Sequence, residues 1–596
     1  MLALDTVPLD MNTSNTLSDV LYILFDDLRP EFGFLDSEGL RLHHTPNFDR
    51  LSREGAFFDL AFSQVAFCAP SRASFLTGLR PDSTGSVHND QLERFGVPRS
   101  APLPHGITVF DAFKRSGYTT AAVGKIFHFG EAHPSLDLPV VSSTQDLLGR
   151  PCDSVAAVNV QEPRAGRLFG FPKACDLPFG SFVDQRVTAH SVRYLRRLSS
   201  GGHARPPFML AVGYLRPHNP YQFPAKYLEG VARANETDVA TVFRRHESQP
   251  GIAFADQGDC IHQKCQREQR RFYRAAVSYV DALLGLLLKE VRKLKLENSA
   301  LVVVHADHGI SLGENGAWQK RTNFDHASRV PLFIRDPRTS PAADGLRVRQ
   351  PVELVDVLPT LLDLSGVASR YSMPGHLQGR SLRPFLDGTC EGFPRSCSFP
   401  HLNLDRFKHA FMLQPRLLYV TRNTTHPPFV DGGLSISEIG MDSVELEKGV
   451  AQSERRKADP RCSSELAFGG VFGPGRSCRI VAMGYSVRSR SYRYTRWERW
   501  PAHALGGDNH IWTAGKGTLL AEELYNHSAE ETGGGRIGNG VSEQVNLAAQ
   551  GAPASFHLRS IKLELMHALV AHGARGSRVM LSRTKATSST RSDTDA

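Results

Sequence analysis

Three short apolar runs, each followed at once by charged residues, constrain the fold of this chain most. They are residues 20–25 (VLYILF), 208–214 (FMLAVGY) and 301–305 (LVVVH). Continuous apolar runs of this length are typical of strands that are covered on both faces of a sheet. The charged side chains then fall where each buried strand would end.

Segments with helical spacing lie between these runs. Residues 108–117 have apolar positions at helical spacing, and a strand-like run follows at 118–123. Residues 272–296 have one apolar face and end in Lys and Arg, which favour a helix C-terminus. This alternation predicts an α/β fold with a large, mostly parallel sheet and helices on both faces. Ligands of such sheets bind beyond the carboxyl ends of the strands, so the charged residues there mark one candidate site.

The composition changes near residue 400 and divides the chain. Residues 19–400 contain the predicted sheet and form the larger domain. Residues 401–572 are rich in Gly, Pro, Ser and Arg before two alternating runs at 483–488 and 491–497. These runs predict a smaller α+β subdomain with an antiparallel sheet. Two polar ends are predicted to be disordered, namely residues 1–18 and the basic tail 573–596.

The charge of the chain has two interpretations. The 596 residues have a net charge of +9, with 41% apolar and 22% charged residues, as in globular proteins. A scattered surface excess of Arg is the commoner explanation of such a charge. Binding of an acidic partner, such as a sulfated polysaccharide, is the more specific one. The chain has no nucleic-acid-binding motif and no apolar run near the roughly 20 residues of a membrane helix. Neither nucleic-acid binding nor stable membrane insertion is therefore expected.

Nine cysteines bear on the redox compartment. Cys68 lies in a motif described below, and the other eight are an even number, as a disulfide framework requires. The local pairs 152–175, 260–265 and 390–397 are the natural choices among them. Reduced, buried thiols in a cytosolic protein are the alternative. The remaining eight cysteines are Cys152, Cys175, Cys260, Cys265, Cys390, Cys397, Cys462 and Cys478.

The compartment is indicated by two features that conflict. Four N-x-S/T tripeptides occur, at Asn12, Asn235, Asn423 and Asn526. The first twenty residues, however, lack the basic region and apolar core of a signal peptide. With the cysteines, we predict a lysosomal or secreted protein whose signal is atypical or missing from this sequence.

The most specific motif runs from Cys68 to Gly78, CAPSRASFLTG. It fits C-x-P-S-R-x-x-x-L-T-G, and on this motif the chain resembles the type I sulfatases. In that family a dedicated enzyme oxidises the cysteine to formylglycine, whose hydrated aldehyde is the nucleophile toward sulfate esters. The resemblance implies formylglycine at position 68, a formylglycine-generating enzyme as partner, and an alkaline phosphatase-like fold.

Further segments resemble the iduronate-2-sulfatase group within this family. They include G-K-x-F-H at 124–128 and P-H-x-P at 217–220. The group acts on 2-O-sulfated iduronate in dermatan or heparan sulfate, so the resemblance implies a sulfated glycan as substrate. The resemblance covers most of 19–400, resumes at 481–497 and 523–526, and is poor at 140–200, 229–265 and 401–478.

The resemblance also implies a Ca²⁺ site. Its ligands would be Asp26, Asp27, Asp307, His308 and the modified Cys68. Carboxylates are the oxygen ligands that Ca²⁺ prefers, whereas an imidazole is unusual for this ion. Paired acids after a strand also occur as a helix cap or a solvated turn. The cysteine motif makes the metal role the favoured one.

Five further residues would act on the sulfate group. Arg72, four residues after the cysteine, would share its helical face and brace the aldehyde. Lys125 would bind a sulfate oxygen, and His128 would remove the proton whose loss expels sulfate. His218 and Lys320 would stabilise or protonate the leaving oxygen. Taken singly, Lys125 would be a surface lysine and His128 a core histidine.

One position differs from the group. Arg216 precedes the P-H-x-P segment where a lysine is expected, so recognition of a substrate carboxylate would differ there. Three alternatives to the main prediction stay open. The chain could be a sulfatase for another polysaccharide, a hydrolase of choline sulfate or phosphonate esters, or a catalytically silent binder of sulfated glycans.

Overall fold

The structure of the chain is a computed structural model. The predicted tail 573–596, nearly all of segment 1–18, and three sequons (Asn12, Asn235 and Asn423) lie outside the residues that it describes. The described residues are 17–36, 43–84, 86, 92–93, 97–98, 108–128, 133–138, 151–154, 158–159, 173–229, 231, 246–250, 253, 263–339, 343–369, 377–387, 410–421, 476–489, 491–499, 519–527, 546–548 and 560–567.

A mixed sheet of eight strands forms the centre of the molecule. Its strands are β1 (Val20–Asp26), β2 (Ala56–Phe62), β3 (Thr119–Gly124), β4 (Phe208–Pro217), β5 (Leu301–Ala306), β6 (Arg329–Arg335), β7 (Arg347–Val348) and β8 (Val352–Glu353). The order is β7-β2-β6-β5-β1-β4-β3, with β8 also beside β2. Within this sheet β6 alone runs antiparallel to its neighbours. The predicted mostly parallel sheet is confirmed.

The three apolar runs form the central strands β4, β1 and β5. All three are buried along their whole length, which explains why their sequences do not alternate. Phe25 of β1 pairs with Tyr214 on one side and Ala306 on the other. The residues that follow these strands therefore meet at one edge of the sheet.

Helices cover both faces of this sheet. Among the described residues up to 387, the helices of six or more residues are α1 (Pro46–Leu51), α2 (Cys68–Thr77), α3 (Val109–Arg115), α4 (Val183–Ser199), α5 (Gln263–Lys293) and α6 (Val357–Leu364). A further helical stretch at 560–567 lies in the C-terminal part of the chain. Alternate side chains of β1 point to opposite faces. Tyr22 meets Phe75 of α2 with ring centroids 6.4 Å apart, whereas Phe25 meets Phe48 of α1 at 5.4 Å. Helix α5 packs against both α1 and α4, while α6 packs against both α2 and α3.

Smaller elements complete the larger domain. Four-residue helices lie at Pro81–Thr84, Lys226–Glu229, Asp325–Ser328 and Arg383–Leu386. Paired short strands are Leu92–Glu93 with Val97–Pro98, and Ser311–Leu312 with Trp318–Gln319. A three-stranded sheet joins Val158–Asn159, Lys173–Cys175 and Gln222–Pro224.

The predicted helices have well-defined ends. Helix α3 begins after Thr108, whose hydroxyl and the Asp111 carboxylate form a capping box. Helix α5 begins at Gln263, earlier than the predicted Phe272. The prediction missed these first turns because they are polar and show no apolar periodicity. It ends at Lys293 with Arg292 in the last turn, as expected for a helix C-terminus.

A second sheet of four antiparallel strands follows. They are β9 (Ala410–Thr421), β10 (Arg476–Arg488), β11 (Tyr492–Arg499) and β12 (Leu519–Asn526), adjacent in that order. The predicted pair is β10 and β11, while β9 and β12 were not predicted. Tyr485, Val487 and Tyr494 of this sheet pack on Val65 and Phe67 of the larger domain.

The structure shows part of the disulfide pairing. Cys152 and Cys175 form a disulfide, as predicted, and Cys68 is a buried free thiol. Cys265 is also disulfide-bonded, although Cys260 and the proposed pair 390–397 lie outside the described residues. Within the parts of the chain described above, no helix combines the length and apolarity needed to cross a bilayer.

Candidate active site

Acidic side chains converge at the carboxyl edge of the sheet. Asp26 is the last residue of β1, Asp27 follows it with a left-handed φ of 64°, and Asp307 follows β5. Because β1 and β5 are adjacent and parallel, these carboxylates meet. The Asp27 N–H donates to Asp307 Oδ1 at 3.2 Å, and the His308 N–H donates to the same oxygen at 2.9 Å.

Cys68 enters this cluster at the first turn of α2. Its Sγ lies 3.5 Å from Asp26 Oδ1, 3.3 Å from His308 Nε2 and 3.2 Å from Lys320 Nζ. Pro70 is tolerated in this first turn because its missing N–H has no intrahelical partner there. The unpaired N–H groups of a helix N-terminus favour an anionic group at this position.

Arg72 joins the acids from the next turn of α2. Its buried guanidinium places Nη2 at 2.9 Å from Asp307 Oδ2 and 3.5 Å from Asp26 Oδ2. It also donates to the carbonyl oxygens of Lys125 and Ile126, directly after β3. One side chain therefore connects three strand ends.

Two lysines and a histidine surround the carboxylates. The Lys125 ammonium pairs with Asp26 Oδ2, and Lys320 Nζ lies 2.7 Å from Asp27 Oδ1. His218 Nε2 lies 4.0 Å from Asp27 Oδ2. Burial alone would raise the pKa of Asp26, but Lys125, His218 and Arg72 lower it below its usual range. Asp26 is therefore ionised.

His128 is a buried histidine beside position 68. It interacts with the Cys68 thiol, and burial lowers its pKa to about 4. The neighbouring cations Lys125 and Arg72 contribute to this lowering of the pKa, while the Cys68 side chain opposes it. The imidazole is therefore neutral near pH 7 and can accept a proton.

The cluster fits a divalent metal ion. Ligand atoms of Asp26, Cys68, Asp307 and His308 lie within 4.8 Å of one another, and so do those of a second set in which Asp27 and His218 replace Asp307 and His308. Buried carboxylates this close repel one another unless positive charge lies between them. Their oxygens are the ligands of hard divalent cations.

Arg216 lies beneath the loop that contains His218. Its guanidinium is buried and donates to the carbonyl oxygens of Gln222 at 3.1 Å and His218 at 2.9 Å. These contacts hold the loop in place. The predicted contact of Arg216 with a substrate carboxylate stays a prediction.

Some supporting residues were not predicted from the sequence. The Tyr273 hydroxyl of α5 donates to the Asp27 carbonyl at 2.9 Å and accepts the Arg29 N–H at 3.0 Å. The Ser71 hydroxyl donates to the Asp307 carbonyl at 2.5 Å. Ser71 lies inside the cysteine motif and could have been considered, whereas no spacing relates Tyr273 to Asp27.

The chain thus has an alkaline phosphatase-like α/β fold with an acidic centre, able to hold a metal ion, at the carboxyl edge of its sheet. Residues 18–367 match the family model Sulfatase, so the chain belongs to the sulfatase family and is a sulfuric ester hydrolase. The family predicted from the cysteine motif is thereby confirmed.

Relatives and solved structures agree with this assignment. The chain is 30% identical to Iduronate 2-sulfatase of Mus musculus, over 66% of this chain and 81% of that protein. It is 29% identical to Iduronate 2-sulfatase of Homo sapiens, over 82% of this chain and 86% of that protein. The structure of a phosphonate monoester hydrolase from Agrobacterium radiobacter is similar in fold, with a TM-score of 0.61 at 18% identity, covering 94% of this chain and 96% of that one.

Proposed function

We propose that this enzyme removes a sulfate ester from a sulfated uronic acid or related glycan, in the manner of an iduronate-2-sulfatase. The observation that supports this most is the convergence of Asp26, His308 and Lys320 on the side chain of Cys68. The similarity to two iduronate 2-sulfatases supports the substrate class.

Two groups would complete the site. Oxidised to formylglycine and hydrated, the side chain at position 68 would supply the nucleophilic hydroxyl where Sγ now lies, and a bound Ca²⁺ would supply positive charge for the sulfate oxygens. Asp26, Asp27, Asp307 and His308 would hold the ion. Arg72 keeps two of these carboxylates in place through its contacts with Asp26 and Asp307.

The remaining side chains would bind sulfate and move protons. Lys125 and Lys320 present ammonium groups that attract the sulfate oxygens, and Lys320 and His218 stand beside Asp27 where they would stabilise the leaving oxygen. His128, neutral and in contact with position 68, would accept a proton from that side chain as sulfate departs. Splitting the reaction into two steps is the advantage of a covalent route.

The proposed compartment is lysosomal or extracellular. The Cys152–Cys175 disulfide supports an oxidising secretory route. Asn526 is exposed at the end of β12, as a glycan acceptor must be. A formylglycine-generating enzyme of the same route would be the partner that modifies Cys68.

A substrate panel tests the proposal. The chain would be co-expressed with a formylglycine-generating enzyme, and mass spectrometry of the peptide around position 68 would measure the modified fraction. The modified enzyme would then be assayed on disaccharides that each have one sulfate, with choline sulfate and phosphonate monoesters alongside. We expect hydrolysis of 2-O-sulfated uronic acid alone. Equal rates on esters at other sugar positions would contradict the proposed substrate.

A second candidate function is hydrolysis of phosphonate monoesters. The similarity in fold to a phosphonate monoester hydrolase favours testing it. Faster turnover of phosphonates than of any sulfate ester in the same panel would establish it. A catalytically silent binder is less well supported, because every predicted catalytic side chain is present and all lie in or beside one cluster.

A further inference from the structure

The backbone around Lys320 is conformationally strained. Gln319 and Arg321, on either side of it, have left-handed φ angles of 65° and 70°. Residues with a Cβ adopt this region at a cost and keep it only where the surroundings enforce it. The position of the Lys320 ammonium beside Cys68 therefore depends on what holds the following segment, residues 321–325.

One side of this segment is held by the residues before Cys68. The Arg321 N–H donates to the Ala66 carbonyl at 3.0 Å, and its guanidinium lies 5.9 Å from the Phe67 ring centroid. Phe67 and Val65 in turn belong to the apolar cluster of the C-terminal sheet. The sheet therefore supports the start of α2 and the segment after Lys320 together.

The other side is held by the C-terminal sheet directly. The Asn323 side-chain amide donates to the Gly484 carbonyl of β10 at 3.3 Å. The ring centroids of Phe324 and Tyr525 of β12 lie 5.9 Å apart. The Arg493 guanidinium of β11 lies 5.8 Å from the Phe324 ring centroid.

Asp325 is the charged centre of this contact. Its carboxylate lies 3.1 Å from Arg488 Nη2, 3.2 Å from Arg493 Nη2 and 3.6 Å from His527 Nδ1. These three partners come from β10, β11 and the residue after β12, and all are buried. Removing one partner of a buried charge cluster is strongly unfavourable, so this carboxylate fixes the segment to the sheet.

We propose that Asp325 is a positioning residue that couples the C-terminal sheet to Lys320. Through residues 321–325 the sheet sets the place of the Lys320 ammonium. The inference rests on the proposed function, in which Lys320 acts on the sulfate ester. It assigns the C-terminal sheet a part in the reaction itself.

A double-mutant cycle tests this coupling. Asp325→Asn keeps the size of the side chain and removes its charge. With rates normalised to the formylglycine content, we expect Asp325→Asn to lower kcat about 10- to 100-fold while KM changes less than about threefold. Combined with Lys320→Ala, it should add little, so that the double variant stays within about twofold of Lys320→Ala alone.

The ion pair of Asp19 with Arg205 provides the matched control. Asp19 is buried and also accepts the Phe208 N–H at 3.0 Å, but it lies at the amino end of β1, on the opposite edge of the sheet. Asp19→Asn should lower the unfolding temperature and leave kcat within about twofold of wild type. Any residual effect on kcat should multiply with that of Lys320→Ala.

The outcomes are distinct. The coupling would be overturned if the effects of Asp325→Asn and Lys320→Ala on kcat multiply in the double variant. It would also be overturned if Asp325→Asn keeps a kcat above half of the wild-type value. If Asp325→Asn does not fold, Asn323→Ala removes the milder contact with Gly484 and must show the same lack of additivity. A fully modified wild type that hydrolyses no ester of the panel would overturn the proposed function first, and this coupling with it.

Discussion

At the scale of single residues, buried ion pairs between side chains at different strand ends hold the site together. Arg72 connects Asp26 and Asp307, while Lys320 lies between Asp27 and Cys68. Burial would raise the pKa of the Cys68 thiol, but Lys320 and Lys125 hold it well below its usual range. The surroundings of position 68 therefore stabilise negative charge, as the proposed oxygen nucleophile would require.

Substitution of Cys68 by Ser tests the chemistry at this position. We expect Cys68→Ser to retain binding of the sulfate ester and to lose turnover by at least about 1,000-fold, because a serine hydroxyl is no gem-diol. Equilibrium binding and steady-state rates on the preferred ester would measure both. Ser74→Ala, in the same buried helix but with no described partner for its hydroxyl, is the control that should keep its activity. Wild-type rates in Cys68→Ser would refute the formylglycine mechanism.

At the scale of elements, helix α2 depends on where it begins and ends. It begins at Cys68, so that the Cys68 side chain faces the strand ends, and it stops at Gly78, which has a left-handed φ of 65°. A Cβ at Gly78 would approach Leu377 Cδ2 at 2.8 Å. The glycine of the motif therefore ends the helix, whereas the cysteine is the proposed site of the reaction.

Alanine at this helix end should destabilise the fold. Gly78→Ala adds backbone strain and a steric clash, so we expect a loss of about 2 kcal/mol in the free energy of unfolding. Gly117→Ala is the matched control, since Gly117 also has a positive φ of 86° but open space around its Cβ. That variant should lose only about 1 kcal/mol, from strain alone. Urea unfolding measures both losses, and equal values would argue against the clash with Leu377.

Elements with a regular apolar signature were predictable, and those held by tertiary contacts were not. Strands β1, β4 and β5 were predicted because burial on both faces leaves a continuous apolar run. Strand β2 was missed because Asp59 interrupts its run; the structure pairs this buried acid with Arg329 and Arg347. The convergence of the candidate site residues could be predicted because strand ends and motifs mark them. The contact of Tyr273 with Asp27 could not, since it depends on how α5 packs.

At the scale of the whole molecule, buried acids make stability depend on pH. Asp281 of α5 accepts the N–H groups of Asn47 and Phe48 at the start of α1, far along the chain. Burial raises the pKa of this carboxyl to about 7, from an ordinary value of 3.8. Between these values the folded protein keeps a proton that the unfolded chain releases.

The raised pKa of Asp281 makes the folded protein more stable at acidic pH than at neutral pH. The free energy of unfolding should fall as the pH rises from about 4 to about 7, by up to about 1.4 kcal/mol per pH unit from this one group. Asp281→Asn should flatten that slope, because an amide does not titrate. Thermal unfolding of both proteins across this range measures the difference between them. Parallel curves for wild type and variant would contradict the raised pKa, whereas a difference would agree with the proposed lysosomal compartment.

The contact between Asp325 and the C-terminal sheet also bears on biosynthesis. Because Arg488, Arg493 and His527 all come from the last part of the chain, a ribosome must release most of the sequence before Lys320 is held in place. A nascent polypeptide that has only completed the central sheet would thus be folded in its core but still inert. Premature termination between Lys320 and β10 should accordingly yield a product without catalytic competence.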